Sequence, residues 1–137
     1  MTQELETRAP TLGIVAAVVV LAVVAVPYFY LSGPNVAVYY GSPTPVPVHL
    51  VVGLFAMVSV IVFAAGRNGR TDPPTAAGAA VVLGGFMAVL TLWWALAAGE
   101  LVGSFPVEAT FDYHRWLLLA ATLLVAASGG WYANEVL

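Results

Sequence analysis

The chain of 137 residues contains no cysteine. That absence excludes disulfides, thiolate metal sites and cysteine nucleophiles. Lysine is missing too, because Arg8, Arg67, Arg70 and Arg115 account for all four cationic residues. Schiff-base and phosphate-loop lysine chemistry go with it. Charge of either sign is scarce: 8% of residues are charged and 61% are hydrophobic, where a soluble domain carries about 25% charged residues. Such a chain cannot cover a water-facing surface with polar side chains. Four arginines set against seven acids give a net charge of -3, which supplies no basic stripe for a phosphate backbone, so nucleic-acid binding is excluded.

What the chain does have is four long apolar runs free of Asp, Glu, Lys and Arg: residues 12–31, 48–65, 75–98 and 116–133. At about 1.5 Å of rise per residue, each is long enough to cross most or all of a hydrocarbon core roughly 30 Å thick. The expected fold is all-α, an antiparallel four-helix transmembrane bundle forming one integral membrane domain over residues 1–137. Its first partner is then the lipid bilayer. Glu4 and Glu6 beside a single Arg8 make a poor positive leader, so the first run reads as a retained span and not as a signal peptide.

Alanine, valine and glycine dominate where lysine and cysteine are absent, and Phe111-Asp112-Tyr113-His114-Arg115-Trp116 leads into the fourth run. On these features the chain resembles the small uncharacterised four-span membrane proteins of haloarchaea. The resemblance implies a location and a fold, and no reaction.

Four spans put both termini on one side. Arg8, Arg67 and Arg70 fall on that side and Arg115 on the other, so the positive-inside bias predicts cytoplasmic N- and C-termini in a multi-pass cell-membrane protein. Asp72-Pro73 reads as an N-cap followed by a first-turn proline. Pro27, near the end of the first run, should kink or terminate its last turn. Tyr28, Phe29, Tyr30, Trp93, Trp94 and Trp116 are expected at the outer interface, and Trp131 with Tyr132 at the inner one, as an aromatic belt. The loop of residues 32–47 has no charge and contains Pro34, Pro43, Pro45 and Pro47. It reads as a semi-rigid, extended spacer on the headgroups, with capping of the outer mouth as the other reading.

Shifting the second half onto the first by 64 to 65 residues aligns Pro10-Thr11 with Pro74-Thr75, Tyr28-Phe29 with Trp93-Trp94, and His49 with His114. The two hairpins therefore read as a tandem, parallel repeat. Small residues should carry the helix contacts: Ala76, Ala80, Gly84 and Ala88 in the third run, Ala126 and Gly130 in the fourth, Gly13 and Ala17 in the first.

Candidate chemistry collects at the outer ends of the second and fourth runs. His49 and His114 begin these runs, with Glu100, Glu108 and Asp112 in the loop beside them. His49, His114, Asp112 and Glu108 are the candidate metal ligands, for zinc or copper, and the two imidazoles could alternatively take both axial positions of a haem. Against this stands a plainer account. Interfacial histidines are amphipathic, Asp112 caps the fourth helix, and Arg115 snorkels or pairs with Asp112 or Glu108. Ser59, Thr91, Thr122 and Ser128 are mid-span hydroxyls expected to bond to the backbone or to a neighbouring helix. No buried carboxylate offers a proton relay. The leading expectation is a non-enzymatic structural or accessory subunit of a membrane assembly, without catalytic residues or a cofactor. It would associate with other subunits or with itself through its small-residue faces. An outer-face metal or haem protein and an oligomeric small-solute carrier are the alternatives.

Overall fold

The computed structural model describes residues 2–30, 33–41, 44–102 and 113–137, with side chains over 8–29, 33–41, 44–98 and 113–137. The elements are α1 (Thr2–Ala25), α2 (Pro27–Tyr30), α3 (Gly33–Gly41), α4 (Val48–Arg67), α5 (Pro73–Val102) and α6 (His114–Val136). Among the described residues there is no strand. Arg8–Phe29, Val48–Arg67, Pro73–Ala98 and His114–Val136 are long and apolar enough to cross a membrane. The long helices form a ring in which α1 touches α4 and α6, and α5 touches α4 and α6. The chain termini share one end of this bundle; the opposite, distal end holds the last turn of α1 and the first turns of α4 and α6.

The surface is as apolar as the interior. Leu50, Ile61, Val89 and Leu96 point outward, while Ala17, Ala56, Ala80, Ala95 and Val125 are buried. A helix apolar on all sides belongs in a large core or in lipid. Inside the ring, the helices approach through residues with little or no side chain. A Cβ added at Gly84 would stand 2.6 Å from the Ala126 backbone, and one at Gly129 would stand 2.9 Å from the Val81 nitrogen. Gly13 accommodates the Phe63 ring, and Gly66 accommodates Tyr132 and Ala76. The expected role of Gly130 passes to its neighbour: Gly130 is exposed with nothing near it.

Helix ends follow local chemistry. Asp72 caps α5, its Oδ2 accepting from the Thr75 N–H at 3.3 Å and the Thr75 hydroxyl at 3.1 Å. Pro73 is the first helical residue, where its missing N–H is harmless. At the end of α4, the Arg70 N–H bonds to the Ala65 carbonyl and the Gly69 N–H to the Gly66 carbonyl. That double closure requires a left-handed residue, supplied by Gly69 at φ 74°. At the other end Pro27 breaks the first span. Helix α1 stops at Ala25, and α2 resumes as a single short turn.

The stretch after α2 departs from its expected form. Residues 33–41 are helical, not extended, and α3 buries Val36, Tyr39 and Tyr40 against the bundle. Of the aromatics expected in a belt, Trp94 and Tyr132 are core residues. Tyr28, Phe29, Trp93, Trp116 and Trp131 are exposed as expected.

Gly84→Ala should destabilise the bundle by about 1–3 kcal/mol, because the new methyl meets backbone and not a side chain that can turn aside. Gly130→Ala, in open space on α6, should leave stability unchanged or raise it by up to about 1 kcal/mol. Thermal unfolding of the two variants in detergent checks the contrast.

Candidate functional site

Two prolines create the problem that the distal end solves. In an α-helix each carbonyl accepts from the N–H four residues on. Four residues after Val23 stands Pro27, and four after Tyr39 stands Pro43; neither has an N–H to give. A buried carbonyl left without a partner costs about 1–3 kcal/mol. Both carbonyls receive a side-chain N–H from a later helix. His114 Nε2 lies 2.7 Å from the Val23 carbonyl oxygen. Trp94 Nε1 donates to the Tyr39 carbonyl at 3.1 Å. The Val26 N–H also reaches Val23 at 3.2 Å, one residue short of regular helical spacing. The adjacent Val24 carbonyl accepts the Tyr40 hydroxyl at 2.7 Å.

The second nitrogen of His114 is engaged as well: Nδ1 lies 2.8 Å from the Tyr39 hydroxyl. A carbonyl can only accept, so Nε2 carries the proton. In the neutral imidazole Nδ1 is then the acceptor, and Tyr39 donates to it. This fixes both the tautomer and the direction of the bond. Around it the rings close up: Tyr39 stands 5.0 Å from Trp94 edge-on and 5.1 Å from Tyr40. Such separations suit aromatic pairing. Tyr39, Tyr40 and Trp94 are fully buried, and His114 is 5% exposed.

His49 enters the cluster differently. Its ring stacks on Tyr40 at 4.3 Å with 10° between planes, and its Nδ1 has no hydrogen-bond partner among the described residues. The Tyr40 ring lies 6.3 Å from His114, so both candidate histidines contact the same tyrosine. A metal or haem iron on His114 would have to displace either Tyr39 or the Val23 carbonyl. Glu108 and Asp112 lie outside the described residues, as does the side chain of Glu100. Among the described residues no three His, Asp or Glu side chains gather as a metal site. Helix α6 begins at His114 with Tyr113 in the cap position and no side-chain cap. Arg115 lies over the Trp116 ring at 5.3 Å, and its Nε and Nη1 have no hydrogen-bond partner among the described residues.

Reading the sequence for ligands found His114 and missed its partners. Tyr39 is 75 residues away and Val23 is 91. A local signal did exist: a proline four residues after an apolar helical position marks a carbonyl that another group must cap.

Burial holds the Tyr40 phenol well above its ordinary value of 10.0, with Tyr39 and Tyr28 adding to the effect. An acid with a raised folded-state pKa contributes stability that is complete below its unfolded value. That contribution falls as pH rises, because the unfolded phenol ionises first. Stability should therefore decline above about pH 10, the unfolded value, and Tyr40→Phe should reduce the slope of that decline; unfolding curves between pH 8 and 12 measure it. His114→Ala should cost about 1–3 kcal/mol by exposing the Val23 carbonyl to an apolar void, and His114→Gln, which keeps a donor, should cost less.

No curated protein and no solved structure matches the chain. The chain belongs to the family of unknown function DUF7548, which matches it over residues 3–137.

Proposed function

We propose that this protein is a multi-pass protein of the cell membrane, with cytoplasmic termini, that works without catalysis as a structural or accessory subunit of a larger membrane assembly. The observation that carries this reading is where the interior polar groups point. Ser59 donates to the Phe55 carbonyl, Thr122 to Leu119 and Ser128 to Leu124, each within its own helix. His114, Tyr40 and Trp94 bond to carbonyls of other elements. These groups hold the scaffold together; Thr91 departs from the expectation, its buried hydroxyl having no hydrogen-bond partner among the described residues. In lipid, backbone groups have no water to turn to, and such internal satisfaction is what a membrane bundle requires.

Arg67 ends α4 and Arg70 follows it, at the end that also holds the chain termini, and Arg115 lies at the distal end. This distribution supports the cytoplasmic assignment of the termini. The ring order sets the hairpin of α1 and α4 beside that of α5 and α6, as a duplicated pair of hairpins would need. The outward apolar faces support burial against lipid or against neighbouring subunits.

The absence of cysteine makes topology directly measurable. A single cysteine at Asn68 or at Pro45, both exposed and at opposite ends, can be labelled in intact cells with a membrane-impermeant maleimide. Pro45→Cys should react and Asn68→Cys should not; the reverse pattern overturns the orientation. Copurification from native membranes should recover a stoichiometric membrane partner. A protein recovered alone, with turnover of a solute or a bound metal, overturns the accessory role.

A further inference from the structure

The Tyr39–His114 pair has more order than a carbonyl cap needs. Capping Val23 takes one N–H, which Nε2 supplies. The other ring nitrogen is thereby left as a base with its lone pair fixed on the Tyr39 O–H, 2.8 Å away in a buried setting. If the phenolic proton crosses this bond, His114 becomes an imidazolium while keeping its bond to Val23. That carbonyl belongs to the last turn of α1, the negative end of the helix dipole, which favours a cation. The site thus stabilises the proton on either side of the bond. From Tyr39 a chain of rings leads outward: Tyr40 at 5.1 Å, then Tyr28 at 6.3 Å from Tyr40. Tyr28 is 53% exposed at the distal end. No cysteine competes for oxidising equivalents.

We propose that Tyr39 and His114 form a proton-coupled redox pair that surrenders one electron, through Tyr40 and Tyr28, to a peroxyl radical of an unsaturated lipid at the distal surface. The Tyr39 O–H bond breaks, its proton forms an N–H bond at His114 Nδ1, and the electron leaves along the rings. The peroxyl radical takes that electron and a proton from interfacial water, becoming a lipid hydroperoxide and leaving hydroxide. Tyr39 remains as a neutral phenoxyl radical hydrogen-bonded to imidazolium. The choice of a lipid oxidant rests on the membrane reading above; the redox pair itself does not.

Two measurements on the full chain separate these parts. In detergent, flash oxidation by a photogenerated ruthenium(III) polypyridyl complex should yield a tyrosyl radical by electron paramagnetic resonance. In Tyr39→Phe the radical should move to exposed tyrosines such as Tyr28 and Tyr113, losing the spectral signature of a phenoxyl hydrogen-bonded to imidazolium, whereas Tyr28→Phe and deuterated water should each slow its formation at Tyr39. His114→Gln, which keeps a donor for Val23 but removes the base, should lower the yield several-fold. A signal unchanged in Tyr39→Phe, or formation insensitive to both deuterium and His114→Gln, overturns the pair. Circular dichroism of each variant establishes that it is folded, and the deuterium measurement needs no variant. In liposomes of polyunsaturated phospholipid with an azo initiator, the wild-type chain should lengthen the lag before diene conjugation, and Tyr39→Phe should not. An equal lag overturns the lipid oxidant. Failure of the chain to float with the liposomes would overturn the membrane reading instead.

Discussion

A helix interrupted by proline leaves a carbonyl without its regular partner four residues on, and an apolar bundle offers little else to supply the lack. This constraint organises the distal end of the molecule. Pro27 ends α1 and strips Val23 of its regular partner. Tyr39 stands in the last turn of α3, where carbonyls have no partner within the helix. Each vacancy recruits a ring N–H from one of the two later spans, His114 from α6 and Trp94 from α5. The recruited rings then set the positions of Tyr39 and Tyr40 on α3. A backbone deficit is in this way converted into tertiary structure, linking α1, α3, α5 and α6 at a single buried cluster.

The opposite end is closed by short-range means. Asp72 caps α5 across three residues, and Gly69 turns the chain out of α4. Between the ends the helices meet through glycine and alanine, whose small side chains allow the close approach on which dispersion contact depends. Gly84 against Ala126 and Gly129 against Val81 are the tightest of these meetings with backbone. They fix the crossing of α5 and α6, and so the place from which Trp94 and His114 reach inward.

What could be read from the sequence divides along the same line. The four runs, the Asp72-Pro73 cap and the break at Pro27 are visible because composition and local spacing determine them. Helix α3 is not visible. Gly33–Gly41 has glycine at both ends, a proline in its first turn and three more prolines soon after, so local propensity reads it as a spacer. Its helix is held by Tyr39 and Tyr40, whose partners lie on distant elements. Trp94 and Tyr132 were misplaced for a related reason. An aromatic near a span end suits a headgroup belt as well as a core, and only packing separates the two. Of the candidate site, the histidines were found by residue type, whereas the use of both His114 nitrogens depends on contacts 75 and 91 residues away.

The order of these partners along the chain has a consequence for how the protein is made. Synthesis delivers α1 and its broken end first, α3 next, Trp94 only with α5, and His114 last of all. Until α6 is made, the Val23 carbonyl has the local Val26 N–H but not the ring N–H of His114. The distal end is consequently the last part to mature. His114 thus ties the final long helix back to the first, the last of these contacts to become available.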